Sequence, residues 1–149
     1  MYQFNPYAIP PLLTSLYLGF MGLFVFTKNR KSIINLSYAL IIWGAAVWQF
    51  SYFMVYLSHD KNTALFWCRI VYTGVAYIST ATYHFSVSFL NLERQKKFVY
   101  LSYIIAGIFS VLAVSDYFVT DVYKYFWGYY TRASVLHTLF VCMWPMPMV

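Results

Sequence analysis

The chain has 149 residues, of which 62% are apolar, 23% aromatic and only 9% charged. A water-soluble domain carries about a quarter charged residues; so few would leave large apolar patches facing water, which excludes an ordinary soluble globule and makes the bilayer the solvent. The formal charge of +6 does not point to nucleic acid, because the basic residues gather in short gaps between apolar runs and not on a groove-sized patch.

Four apolar segments come close to the roughly 20 residues that a bilayer requires of a helix. The stretch MYQFNPYAIPP has no basic start, so the first segment, residues 11–26, reads as a helix that stays and not as a cleaved signal. Pro10 and Pro11 sit at its beginning, where a missing N–H costs little. The second segment covers 33–57, with Ser32 as candidate N-cap, and the third covers 64–90, with Thr63 in that role. The fourth covers 98–114, and a partial fifth covers 135–149. The expected fold is an all-α integral membrane protein: one domain, an antiparallel transmembrane helix bundle of four full spans and part of a fifth.

The gaps alternate in charge. KNRK and NLERQKK hold six of the ten basic residues, whereas SHDKN and residues 115–133 hold three of the four acidic ones. By the positive-inside rule the two basic loops are cytoplasmic and the N-terminus is outside, in a multi-pass protein of the cell membrane. The fifth segment is short, contains Pro145 and Pro147, and has no basic stop. It is therefore expected to insert poorly and lie at the outer interface, or to belong to a longer chain.

Two helices carry polar stripes. On the second, Asn35, Tyr38, Ala45, Gln49, Tyr52 and Tyr56 fall within an arc of roughly 100°. On the third, Arg69, Tyr72, Thr73, Ala76, Thr80, Tyr83 and His84 fall within roughly 120°. Polar groups facing lipid are unsatisfied, so the stripes should face each other. Their outer ends then gather Gln49, Tyr52, Tyr56, Arg69, Tyr72 and Thr73 about one fixed cation, suited to a small amphipathic or anionic ligand. The aromatic outer loop, through Trp127 and Tyr130, is placed to cover it. Snorkelling of Arg69 to the headgroups and a structural partner for it are the competing readings.

The catalytic inventory is thin. No carboxylate lies within an apolar segment, and no phosphate loop or HExxH occurs. Cys68 and Cys142 have no metal-type spacing and read as small buried hydrophobes. His59, Asp60 and His137 fall outside any ligand pattern. No catalytic residue, cofactor or metal is expected. The expected partners are the bilayer, a small ligand between the second and third helices, and a second copy of the chain.

The third segment also supports a family resemblance. FWCRIVYTG reads W-x-R-x-x-Y-x-G through Trp67, Arg69, Tyr72 and Gly74. Trp48 precedes it in VWQFSYFMVYLS; YHFSVSFLN follows, and then YFWGYYTRASVLH with Trp127, Gly128, Tyr129, Tyr130 and His137. This order resembles the N-terminal seven-transmembrane sensor region of bacterial histidine kinases and related signalling proteins, of which the chain would hold the first four and a half spans. The resemblance implies a sensory input segment of a two-component type system, with the N-terminus outside and a separate cytoplasmic output, and no catalysis in this chain. The alternative of a different class is a small oligomeric carrier or channel subunit, disfavoured by the lack of intramembrane acids.

Overall fold

The computed structural model describes residues 2–116 and 118–133. Four helices, α1 (Ile9–Lys28), α2 (Ile33–Leu57), α3 (Lys61–Phe89) and α4 (Lys96–Ala113), are followed by strands β1 (Val119–Tyr125) and β2 (Gly128–Ala133). Local chemistry sets the helix starts. Asn5 Oδ1 accepts from the Tyr7 N–H at 3.0 Å and opens a single 3-10 turn, Pro6–Ala8, that leads into α1. Ser32 Oγ caps α2 by accepting from Asn35 N–H. At α3 the cap is Asp60 and not Thr63: the Asp60 carboxylate takes the Thr63 N–H at 2.9 Å and its hydroxyl at 2.9 Å, so the helix starts three residues earlier.

Short connections make α1–α2, α2–α3 and α3–α4 antiparallel neighbours, with α3 between α2 and α4. Close approach depends on small residues. A Cβ on Gly74 of α3 would lie 2.9 Å from the Gly44 carbonyl oxygen of α2 and 3.0 Å from Trp48 N. The backbones can meet there only because both positions lack a side chain. On the cytoplasm-facing half predicted from charge, His84 Nδ1 meets the Tyr103 hydroxyl at 3.1 Å and the Tyr83 hydroxyl donates to Gln95 Oε1 at 3.1 Å, tying α3 to α4.

Burial follows the same division. α1 buries only Ser15 and Gly22 and exposes Leu13, Leu16, Tyr17, Phe20 and Leu23. α4 exposes Tyr100, Ile104, Ile108 and Val111 in the same way. Among the described residues three helices are long and apolar enough to cross a membrane: the Pro6–Lys28 segment containing α1, then α2, and the Glu93–Ala113 segment containing α4. The 29-residue α3 has the length, but its polar stripe dilutes its hydropathy.

The all-α expectation is corrected at residues 119–133. β1 and β2 form an antiparallel hairpin with register Tyr125↔Gly128, Tyr123↔Tyr130, Val122↔Thr131 and Asp121↔Arg132. VTDVYKY and GYYTRA are rich in β-branched and aromatic residues that favour strands, and they flank the two-residue turn Phe126-Trp127. Gly128 takes φ of 138°, a conformation suited to glycine, where the chain re-enters the ladder. The hairpin belongs to the core: Phe118, Val119, Val122 and Tyr129 are buried in one cluster with Val55, Ala64 and Cys68 of the helices. The expected fifth helix, with His137 and Cys142, lies outside the described residues.

Candidate functional site

The hairpin is seated on the ends of the two polar stripes. Trp48, Tyr52 and Tyr56, at i, i+4 and i+8, share one face of α2. The rings of Tyr52 and Tyr56 lie 6.0 Å apart, and Tyr130 of β2 stacks on Tyr52 at 6.5 Å with a 20° interplanar angle. On α3, the Tyr72 hydroxyl is 3.1 Å from Thr131 Oγ1 of β2, and its ring meets Phe118 edge-on at 5.2 Å. Phe118, only 1% exposed, is the largest fully buried side chain of the described residues.

Arg69 lies one helical turn before Tyr72. Its side chain is only 19% exposed, and its Nη2 donates to Asp116 Oδ1 in the connection between α4 and β1. Asp116 is 87% exposed. The guanidinium is therefore withdrawn into protein while its counter-charge stays in solvent contact. Its Nε is buried with no hydrogen-bond partner among the described residues.

Three further ties hold the hairpin. Lys61, the first residue of α3, pairs with Asp121 of β1 at 2.8 Å. Lys61, with the Val122 N–H, holds the Asp121 carboxyl below its ordinary range. The Tyr129 hydroxyl donates to the His59 carbonyl at 3.3 Å. Asn5 Nδ2 donates both to the Tyr56 carbonyl, at 3.0 Å, and to the Trp127 carbonyl, at 2.8 Å. One amide thus joins the N-terminal segment, the end of α2 and the hairpin turn.

Of the residues expected at the site, Tyr52, Tyr56 and Tyr72 lie beneath the hairpin, with Tyr130 of β2 against Tyr52, and Arg69, one turn from Tyr72, is held by Asp116. Trp127 stands at the hairpin tip, its ring stacked on Tyr125 at 4.7 Å. Thr73 points elsewhere: it lines an apolar cleft of about 300 Å³ with Trp43, Gly44, Val47, Tyr77 and Tyr103. Gln49 is half-buried on α2. Asn5, Lys61, Asp116, Asp121 and Thr131 were not singled out from the sequence. Only Asn5 left a local sign there, as a turn-forming Asn before Pro. Among the described residues no three His, Cys, Asp or Glu side chains gather as a metal site.

The arrangement is a polar, aromatic seat for a small sheet, built without a nucleophile–base pair. A match to the family model described as the N-terminal 7TM region of histidine kinase runs over residues 10–144. The chain belongs to that family. No curated protein and no solved structure matches the chain. Membership identifies a sensory input region in a membrane-protein family, not a catalytic domain. The exposed apolar faces of α1 and α4 agree with a membrane setting.

Proposed function

We propose that this chain is the membrane-embedded input segment of a histidine-kinase-type signalling protein, with α1–α4 all crossing the cell membrane and the N-terminus outside. The hairpin, lying at the N-terminal end of the bundle, is then extracellular and receives the signal. Family membership supports sensing. The observation that carries the finer reading is the hairpin's seat on both polar stripes, through Tyr130 on Tyr52, Thr131 on Tyr72 and Asp116 on Arg69. A ligand, or a change at the membrane surface, that shifts the hairpin must alter how α2 and α3 pack. Tight interhelical contact at Gly44 and Gly74 carries that change as a small rigid displacement of one helix past the other.

In this reading the ligand-contacting set is Tyr52, Tyr56, Arg69, Tyr72 and Tyr130, with Gln49 and Thr73 along the same helices and Trp127 at the tip. Arg69 is the coupling residue: a ligand anion that competes with Asp116 for the guanidinium releases the connection between α4 and β1. The test is made on the full product of the gene in membranes, reading phosphotransfer. Arg69→Lys should weaken the response several-fold at unchanged membrane level, because an ammonium keeps the charge and loses the planar fork. Normal responses from both Arg69→Lys and Arg69→Leu would remove the seat from the signalling route.

A further inference from the structure

The hairpin tip, the N-terminal segment and the α2–α3 connection border a cavity beside the seat beneath the hairpin, with Tyr56 at the boundary of the two. It measures about 230 Å³ and is lined by Phe4, Asn5, His59, Lys124, Phe126 and Tyr129, among others. Its walls come from three distant parts of the chain, yet they are tied to one another. Gln3 N–H donates to the Leu57 carbonyl at 2.7 Å, and Asn5 Nδ2 bridges the Tyr56 and Trp127 carbonyls. Gly128 closes the floor so tightly that a Cβ there would lie 3.0 Å from Tyr56 Cδ1. A cavity pre-formed in this way needs little ordering when a ligand enters.

The lining chemistry is one-sided. Lys124 and His59 contribute nitrogen donors, and among the described residues no carboxylate lines the cavity. Lys124 Nζ stands 5.6 Å from the centroid of the Tyr129 ring, a cation–π placement that holds the ammonium without neutralising it. Of the other basic residues near the hairpin, Lys61 pairs with Asp121 and Arg69 with Asp116, while Arg132 stands over the Tyr123 ring at 5.5 Å. The carbonyls at the end of α2 would repel an anion. Those of Tyr56 and Leu57 are already bonded, to Asn5 and Gln3. Around the charge stand exposed rings, Phe4, Tyr125 and Phe126, with Phe126 edge-on to Tyr7 at 6.0 Å.

We propose that this cavity binds a small organic anion, a carboxylate on an apolar body of about one ring, with the anion on Lys124 and the body against Phe4 and Phe126. The volume falls just below the roughly 300 Å³ at which drug-sized pockets begin, which sets the size of the body. The purpose of the site rests on the sensory reading above, whereas its chemistry does not. Binding is therefore measured on the chain itself, in phosphatidylcholine nanodiscs, by saturation-transfer NMR with sodium phenylacetate as probe and empty nanodiscs as blank.

Phenylacetate should bind saturably, and phenylacetamide, the uncharged counterpart, at least tenfold more weakly. Lys124→Gln should weaken phenylacetate at least tenfold, whereas Lys97→Gln, at the other end of the bundle, should leave it within twofold. Phe4→Ala, at a largely exposed ring, should weaken both probes alike. Absence of saturable binding overturns the proposal, as does equal affinity for the two probes or for Lys124→Gln and the parent chain. Lys124-dependent binding without any change in phosphotransfer would leave the site standing and remove the sensory reading from it.

Discussion

Arg69 sits on a helix that the proposed reading carries through lipid, where a guanidinium at a helix centre costs roughly 2.5–3.5 kcal/mol. The chain meets that cost by burying the group in protein and bringing Asp116 to it from beyond α4. The two partners are unequal, and this makes their substitutions unequal. Asp116→Asn leaves a mostly buried guanidinium without a counter-charge and should cost roughly 1–3 kcal/mol, between the exposed and the buried cases. Arg69→Met removes the buried charge and leaves Asp116 hydrated, so it should be close to neutral. Thermal unfolding in detergent should show a drop of several degrees for Asp116→Asn, largely recovered in the double variant. No loss from Asp116→Asn would show that Arg69 is held by lipid headgroups and not by Asp116. Asp121 behaves differently. Its carboxyl is held below the usual range by Lys61 and the Val122 N–H, so its stabilising contribution is complete above the unfolded value, about 3.9. It is lost as pH falls through the lower folded value. Tryptophan fluorescence should therefore stay flat from neutrality to about pH 5 and change only below about 4; Lys61→Gln should move that change upward. A transition near pH 6 that survives Lys61→Gln would assign the hairpin's acid response to another group.

At the scale of elements, the helix pair α2–α3 and the hairpin differ in how openly the sequence announces them. The helices were legible because apolar length, caps and a polar stripe repeat a period the chain cannot hide. Tyr52, Tyr56, Arg69 and Tyr72 could be placed on facing stripes for the same reason. The hairpin was not read, although VTDVYKY and GYYTRA carry strand-forming residues. Their tyrosines suit an interfacial aromatic belt equally well, and composition alone does not separate the two. Asp116 and Asn5 were missed because their partners are 47 and 51 residues away and fixed by tertiary packing alone. The close helix contact gives a matched test. Gly74→Ala places a methyl 2.9 Å from the Gly44 carbonyl, and backbone cannot swing aside as a side chain can. It should cost about 1–3 kcal/mol, as overpacking does. Gly107→Ala on α4 meets nothing within 4 Å and should be neutral or gain about 0.5–1 kcal/mol from helix propensity. The two variants compared by thermal unfolding in one detergent separate packing from composition. Similar stabilities would mean that α2 and α3 are not in backbone contact at Gly44 and Gly74.

For the whole molecule, the two ends of the bundle differ in charge, one strongly basic and the other mixed, and that asymmetry bears on which way a signal can travel. One end holds Lys28, Arg30, Lys31, Arg94, Lys96 and Lys97, with Lys28 over the Phe24 ring at 4.8 Å and Lys97 over Phe98 at 5.3 Å. Glu93, paired with Lys96 at 2.7 Å, is the acid at that end. The other end holds Asp60, Asp116 and Asp121 against Lys61, Arg69, Lys124 and Arg132, together with the hairpin and both proposed ligand sites. Basic loops that short are retained in the cytoplasm; in the proposed reading the hairpin is then outside, and any displacement of α2 and α3 runs inward. Cysteines introduced singly at Asn29, Gln95 and Thr120, in a background without Cys68 and Cys142, report this directly. Thr120 lies exposed on β1 and should react in intact cells with a membrane-impermeant maleimide. Asn29 and Gln95 should react only after the membrane is permeabilised. Because α3 is the one long helix among the described residues whose hydropathy falls short of a span, Gln95 is the decisive position. Its labelling from outside while Asn29 stays protected would mean that α3 does not cross, and the inward route through Gly44 and Gly74 would be lost. Labelling of both from outside would invert the protein, leaving the hairpin and its anion cavity facing the cytoplasm.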